Sequence, residues 1–166
     1  EHFKPMIQHH KQASFYELRW PSARQSRLAL ILQMLDRVID WADFERAVND
    51  VIDHPKPGRG RRPWPLGVML RVLVLAWATG ANPRQTEDLL LDLPCACAFC
   101  QLDDTGSRPP DAETISAFRR RLVRAGLESA DGISIVHKYV GGALSKAGAG
   151  LAQGKILEPR WLGPLL

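Results

Sequence analysis

The chain has 166 residues, 45% of them hydrophobic and 24% charged, and carries a formal net charge of +4. That size suits one compact domain with appendages, and it excludes a large multidomain enzyme, a collagen-like repeat and a wholly disordered chain. The longest stretches without a polar residue, among them Pro63 to Leu70 and Val72 to Ala78, are far below the roughly 20 residues that cross a bilayer, so no membrane is expected as a partner. The first residues lack a signal-type apolar segment, which points to a cytoplasmic address.

Residues 1–21 show no sustained period and read as an arm. Ser22 then precedes a helical pattern in which Leu28, Ile31, Leu32, Leu35, Val38 and Ile39 recur at i, i+3, i+4. A second pattern follows a break near Asp40: Trp41, Phe44, Val48, Val51 and Ile52, ending before Pro55. These two helices are expected to pack as a hairpin with their acids outward.

Pro55 to Pro65 is a linker of Pro, Gly and Arg. Pro65 suits the first position of the next helix, whose face is Leu66, Met69, Leu70, Leu73, Val74 and Trp77. Val68, Val72, Leu75 and Ala76 make its other side apolar as well, which predicts the buried centre of the domain. Gly80 supplies a stop, and Asn82, Pro83 and Gln85 supply an N-cap, a first-turn proline and a capping-box partner. The helix they open should bury Thr86, Leu89, Leu90 and Leu93.

After Pro94 comes a short segment with Cys95, Cys97 and Cys100. An odd, clustered count is a poor disulfide framework, and with no nearby His the better reading is small apolar side chains in a short buried helix rather than a metal site. Gln101 to Pro110 reads as a polar loop. Asp111 then caps a helix with Ile115, Phe118 and Leu122 inward and Glu113, Ser116, Arg119, Arg120 and Arg124 outward, closed by Gly126. A last helix is expected from Leu127 to about Leu144, with Gly141 to Gly150 loose and only Lys155 to Leu157 strand-like. The fold class is all-α.

Charge is unevenly placed. Between Asp36 and Asp53 six acids face two arginines, whereas Lys56 to Arg71 holds five bases and no acid. Sixteen of the 22 basic residues are Arg, whose planar fork suits phosphate and guanine edges, so double-stranded DNA is the expected partner. Phosphate-loop, dinucleotide and zinc-protease motifs are absent, and neither a catalytic residue nor a cofactor or metal is expected. Two helix pairs could serve as a helix-turn-helix. The one around Trp77 to Leu91 carries Glu87 and Asp88, which would repel phosphate, so the short Cys helix with the helix from Asp111 is preferred.

Gly60-Arg61-Arg62-Pro63-Trp64-Pro65, then Met69-Leu70-Arg71, Thr86-Glu87-Asp88-Leu89-Leu90, and Pro110-Asp111 with Thr114-Ile115 and Phe118-Arg119-Arg120-Arg121-Leu122 resemble the N-terminal domain of bacterial insertion-sequence transposases of the IS-five type. The order agrees over Gln25 to Leu127. The resemblance implies a helical domain over 22–126 that recognises terminal inverted repeats in DNA transposition, ahead of a core in which three carboxylates hold two divalent metals. Glu158 stands where the first of those carboxylates is expected, followed by Pro159. Residues 127–166 accordingly read as a helix and the truncated start of the catalytic region, inactive alone. The site residues expected to touch DNA are Arg59, Arg61, Arg62, Thr114, Ser116, Arg119, Arg120 and Arg124. Two rivals remain: an interaction remnant that binds a second copy or full-length transposase through the apolar helix 66–77, and a stand-alone helix-turn-helix regulator.

Overall fold

The computed structural model describes residues 26–53, 63–102, 108–127 and 134–147. Among them lie seven α-helices and no strand: α1 (Arg27–Val38), α2 (Trp41–Asn49), α3 (Leu66–Thr79), α4 (Pro83–Asp92), α5 (Pro94–Phe99), α6 (Ala112–Arg124) and α7 (Ser134–Lys146). The all-α reading is therefore correct. None of these helices is long and apolar enough to cross a membrane.

Local capping chemistry sets most of the helix ends. Ser26, not Ser22, caps α1, its hydroxyl accepting the Ala29 N–H at 3.1 Å; Ser22 lies outside the described residues. Asp40 caps α2 through the Asp43 N–H at 3.0 Å. Pro65 stands one place earlier than expected, as the cap residue of α3, and its carbonyl accepts the Met69 N–H at 3.2 Å. Gly80 ends α3 at φ 68°, a left-handed conformation that glycine adopts without steric cost. The Asn82 and Gln85 side chains form the complete capping box of α4.

α3 is the centre. Leu70, Val72, Leu73, Val74 and Leu75 are wholly buried, and α2, α4, α6 and α7 all pack on it. The apolar helix that favoured an interaction remnant is thus covered within the monomer, and it leaves no bare face asking for a partner. The hairpin of the first two helices does not form either. α1 lies against α5 and α7, while α2 lies against α3. The two-residue break at Ile39 and Asp40 redirects α2, and Phe44 at its centre stacks on Tyr139 of α7 with ring centroids 4.6 Å apart.

The end of the chain also differs from expectation. Leu127 is not helical, and α7, described over Ser134–Lys146, continues through Gly141 and Gly142 instead of loosening there. Two glycines cost a helix about 1 kcal/mol each. Val140 and Leu144, both fully buried on either side of them, hold the turn in place by packing into the same core as α3. Residues 148–166, including the strand-like segment and Glu158, lie outside the described residues.

Gly67, in the first turn of α3, is a site where the sequence can be improved. A Cβ there would stand 3.2 Å from Glu45 Oε2, the far end of a flexible side chain. Gly67→Ala should therefore gain helix propensity with little steric cost and stabilise the domain by about 0.5 kcal/mol. Urea unfolding followed by circular dichroism measures this directly. A lowered midpoint would mean that the Glu45 carboxylate is held rigidly over the start of α3.

Candidate nucleic-acid interface

α6 has the sequence of an amphipathic helix with a charged outer side. Ile115, Phe118 and Leu122 are buried against α3 and α4. At 100° per residue, the line opposite them runs through Glu113, Ser116, Ala117, Arg120 and Arg124. This ridge is short in the middle, with Ser and Ala, and cationic towards its C-terminal end. Arg120 and Arg124 are exposed, and Arg120 donates to Glu113 two turns earlier, Nη2 to Oε1 at 2.9 Å.

The N-terminal end of α6 is occupied by two carboxylates of the protein itself. Asp111 accepts the Thr114 N–H at 2.8 Å, and Glu87 of α4 accepts the Ala112 N–H at 3.0 Å through Oε2. Oε1 of Glu87 accepts from Arg108 at 3.3 Å. Glu87 is only 6% exposed, so it does not face phosphate as the sequence suggested. Asp88, next to it, is exposed. Two of the N–H groups that a helix start leaves without intrahelical partners are thus satisfied here by the protein's own carboxylates, and the helix dipole is complemented.

The helix pairing also departs from the expected one. α6 packs on α4 and α3, not on the Cys-bearing α5, which belongs with α1 and α4. α3 and α4 are joined by a short turn at Gly80 to Asn82, and their axes turn through 102°. That angle and the glycine in the turn match the usual geometry of helix-turn-helix pairs, and α6 forms the third member against both. The Cys helix fails as the partner because its small residues face inward. Ala96 and Cys100 are buried, and Cys97 Sγ donates to the Leu90 carbonyl at 2.8 Å.

The expected site residues divide. Ser116, Arg120 and Arg124 share the outer ridge of α6, with Thr114 on one flank and Arg119 on the other, both partly exposed. Arg59, Arg61 and Arg62 lie outside the described residues. Arg71, counted with the basic stretch, is not at the surface at all. It is 7% exposed in the middle of α3, where it pairs with Asp36, donates to the Phe99 carbonyl at 3.0 Å and lies 4.1 Å from the Trp41 ring centroid.

Arg121 was not among the expected site residues, and it has a structural task. Its guanidinium donates from Nε and Nη2 to the Asp53 carbonyl, fastening the segment that follows α2 to the flank of α6. Burial draws its pKa below the ordinary arginine value, the Asp53 carboxylate opposes this, and Arg124 adds to it. The signal that could have separated Arg121 from its neighbours is position: it sits a quarter-turn off the ridge that Arg120 and Arg124 share. Among the described residues, no three His, Cys, Asp or Glu side chains come together in a way that could hold a metal ion.

The profile of a family described as transposase domain (DUF772) matches residues 22–121, more than half of the chain. No solved structure matches it.

Proposed function

We propose that this chain, which belongs to the transposase domain family, binds duplex DNA through α6 and recognises the terminal inverted repeats of an insertion element. The observation that carries the reading is the outer ridge of α6, where Ser116 and Ala117 permit close approach and Arg120 and Arg124 supply two forked cations on one line. A helix entering the major groove needs this combination, because guanine is read by a bidentate Arg and thymine methyl by a small apolar side chain. Thr114 and Arg119, on the flanks, are placed to reach the backbone on either side of the groove. Arg59, Arg61 and Arg62 are assigned to phosphate contacts on their sequence context alone. In this reading the helical unit supplies binding, and the metal-dependent strand chemistry that the resemblance implies belongs to carboxylates elsewhere.

The test is selection of duplexes from a randomised pool, followed by fluorescence anisotropy with the selected sequence at increasing salt. If three phosphates are neutralised, affinity should fall roughly 40-fold between 50 and 200 mM salt, through retention of counterions on the free DNA. Selection without enrichment, or binding indifferent to salt, overturns the reading.

A further inference from the structure

We propose that Glu87 is the positioning residue of the DNA-reading helix: it fixes the start of α6 against α4 and so sets which bases the ridge can reach, a role that rests on the function proposed above. Glu87 lies on the inner side of α4 between two buried neighbours, Thr86 and Leu90. Its two oxygens are divided. Oε2 takes the Ala112 N–H, the first residue of α6, and Oε1 takes Arg108, just before it. α4 is itself fixed by the Asn82 and Gln85 capping box and by Thr86 Oγ1, which donates to the Asn82 carbonyl at 2.8 Å. A continuous set of polar contacts thus runs from the turn after α3, through α4, to the first peptide of α6.

A carboxylate is a costly way to fill this place if stability were its only task, since a buried charge contributes little net stability even when paired. What it provides is direction. The apolar contacts of Ile115, Phe118 and Leu122 allow α6 to slide or rotate slightly, whereas a bond to a single backbone N–H fixes both its position along the axis and its angle. Base readout is sensitive to shifts of this kind, and phosphate attraction is not. Loss of the Glu87 contact is therefore expected to reduce discrimination between sequences more than it reduces binding.

Two variants separate this role from a purely structural one. Glu87→Leu removes both acceptors. Ala112→Pro removes only the N–H that Glu87 accepts; proline suits the first position of a helix, and Asp111 at φ −77° and ψ 167° already has the backbone that precedes proline. Hydrogen exchange by NMR should find the Ala112 amide protected in the parent chain and unprotected in Glu87→Leu. Binding is then measured on the selected duplex and on a random one, at a temperature where circular dichroism shows the variants folded. The ratio of the two affinities should fall about tenfold in each variant, with random-duplex affinity within twofold of the parent, and Glu87→Gln, which keeps one acceptor, should recover most of the ratio. The positioning role is overturned if Ala112→Pro keeps the parent ratio within twofold. It is equally overturned if selected and random affinities fall together. A parent chain that selects no duplex removes the DNA reading itself, while an unprotected Ala112 amide in the parent removes the Glu87 contact, so the two failures are distinct.

Discussion

Arg71→Ala is expected to destabilise the domain by about 3 kcal/mol, the largest effect of any charged residue outside α6. The guanidinium lies beside the edge-to-face pair of Trp41 and Phe99, 4.1 Å and 5.7 Å from their ring centroids, and its Nη1 donates to both the Asp36 carboxylate and the Phe99 carbonyl. Asp36 also accepts the Trp41 indole N–H at 3.0 Å, so the end of α1, the start of α2, the middle of α3 and α5 meet at one cation. Truncation leaves a void of the kind that costs about 2 to 5 kcal/mol in a core, removes a cation–π contact of about 1 kcal/mol, and strands the Phe99 carbonyl. Part of that loss is returned, because the guanidinium no longer has to be desolvated. Asp36 is the less sensitive end of the pair. Its side chain is 49% exposed, so water can replace it, and Asp36→Ala should cost only about 1 to 2 kcal/mol. Arg71→Met, which keeps volume against the two rings, should fall between parent and Ala. Urea midpoints at constant m would rank the three. Should Asp36→Ala prove the more damaging, the charge pair rather than the packing of Arg71 dominates.

Arg71 also marks the boundary of what could be read from the sequence. The features that were legible act over one or two helical turns: the Asn82 capping box, Gly80 as a stop, the Asp111 cap, and the inward stripe of Ile115, Phe118 and Leu122. Their physics is contained in a few consecutive residues, so spacing alone reveals it. Arg71 and Glu87 depend on partners 35 and 25 residues away, and in one dimension each looks like part of a charged surface. The same limitation explains the wrong helix partner for α6 and the missing hairpin of α1 and α2. The glycines of α7 misled for a related reason, since tertiary burial of Val140 and Leu144 outweighs their low propensity.

The two internal charges sharpen the candidate interface by subtraction. Of the cations near the family motifs, Arg71 is used by the core and Arg121 by the Asp53 carbonyl, while Arg108 is bound to Glu87. On the ridge of α6, Arg120 holds only an exposed ion pair with Glu113, the two side chains being 57% and 80% exposed. Such a pair is worth about 0 to 1 kcal/mol, so a phosphate or a guanine edge can displace Glu113 with little penalty.

Arg120→Ala with Arg124→Ala is accordingly expected to weaken binding to the selected duplex by about 2 to 4 kcal/mol, because a bidentate base contact is worth about 1 to 3 kcal/mol and each phosphate contact adds its own share of counterion release. The two kinds of contact leave different traces. If both arginines touch phosphate, the slope of log affinity against log salt becomes shallower by about 2, and random duplexes lose as much affinity as the selected one. If one reads a base, the slope changes by about 1, and the loss concentrates on the selected duplex, at one base position identifiable by substitution. Both residues are exposed, so thermal unfolding of the double variant should match the parent closely. Arg121→Ala supplies the contrast: releasing the Asp53 carbonyl should lower the midpoint of unfolding and leave the salt slope unchanged, because that guanidinium is turned towards the protein. A double variant that binds as tightly as the parent at moderate salt would take the DNA contact away from the ridge of α6.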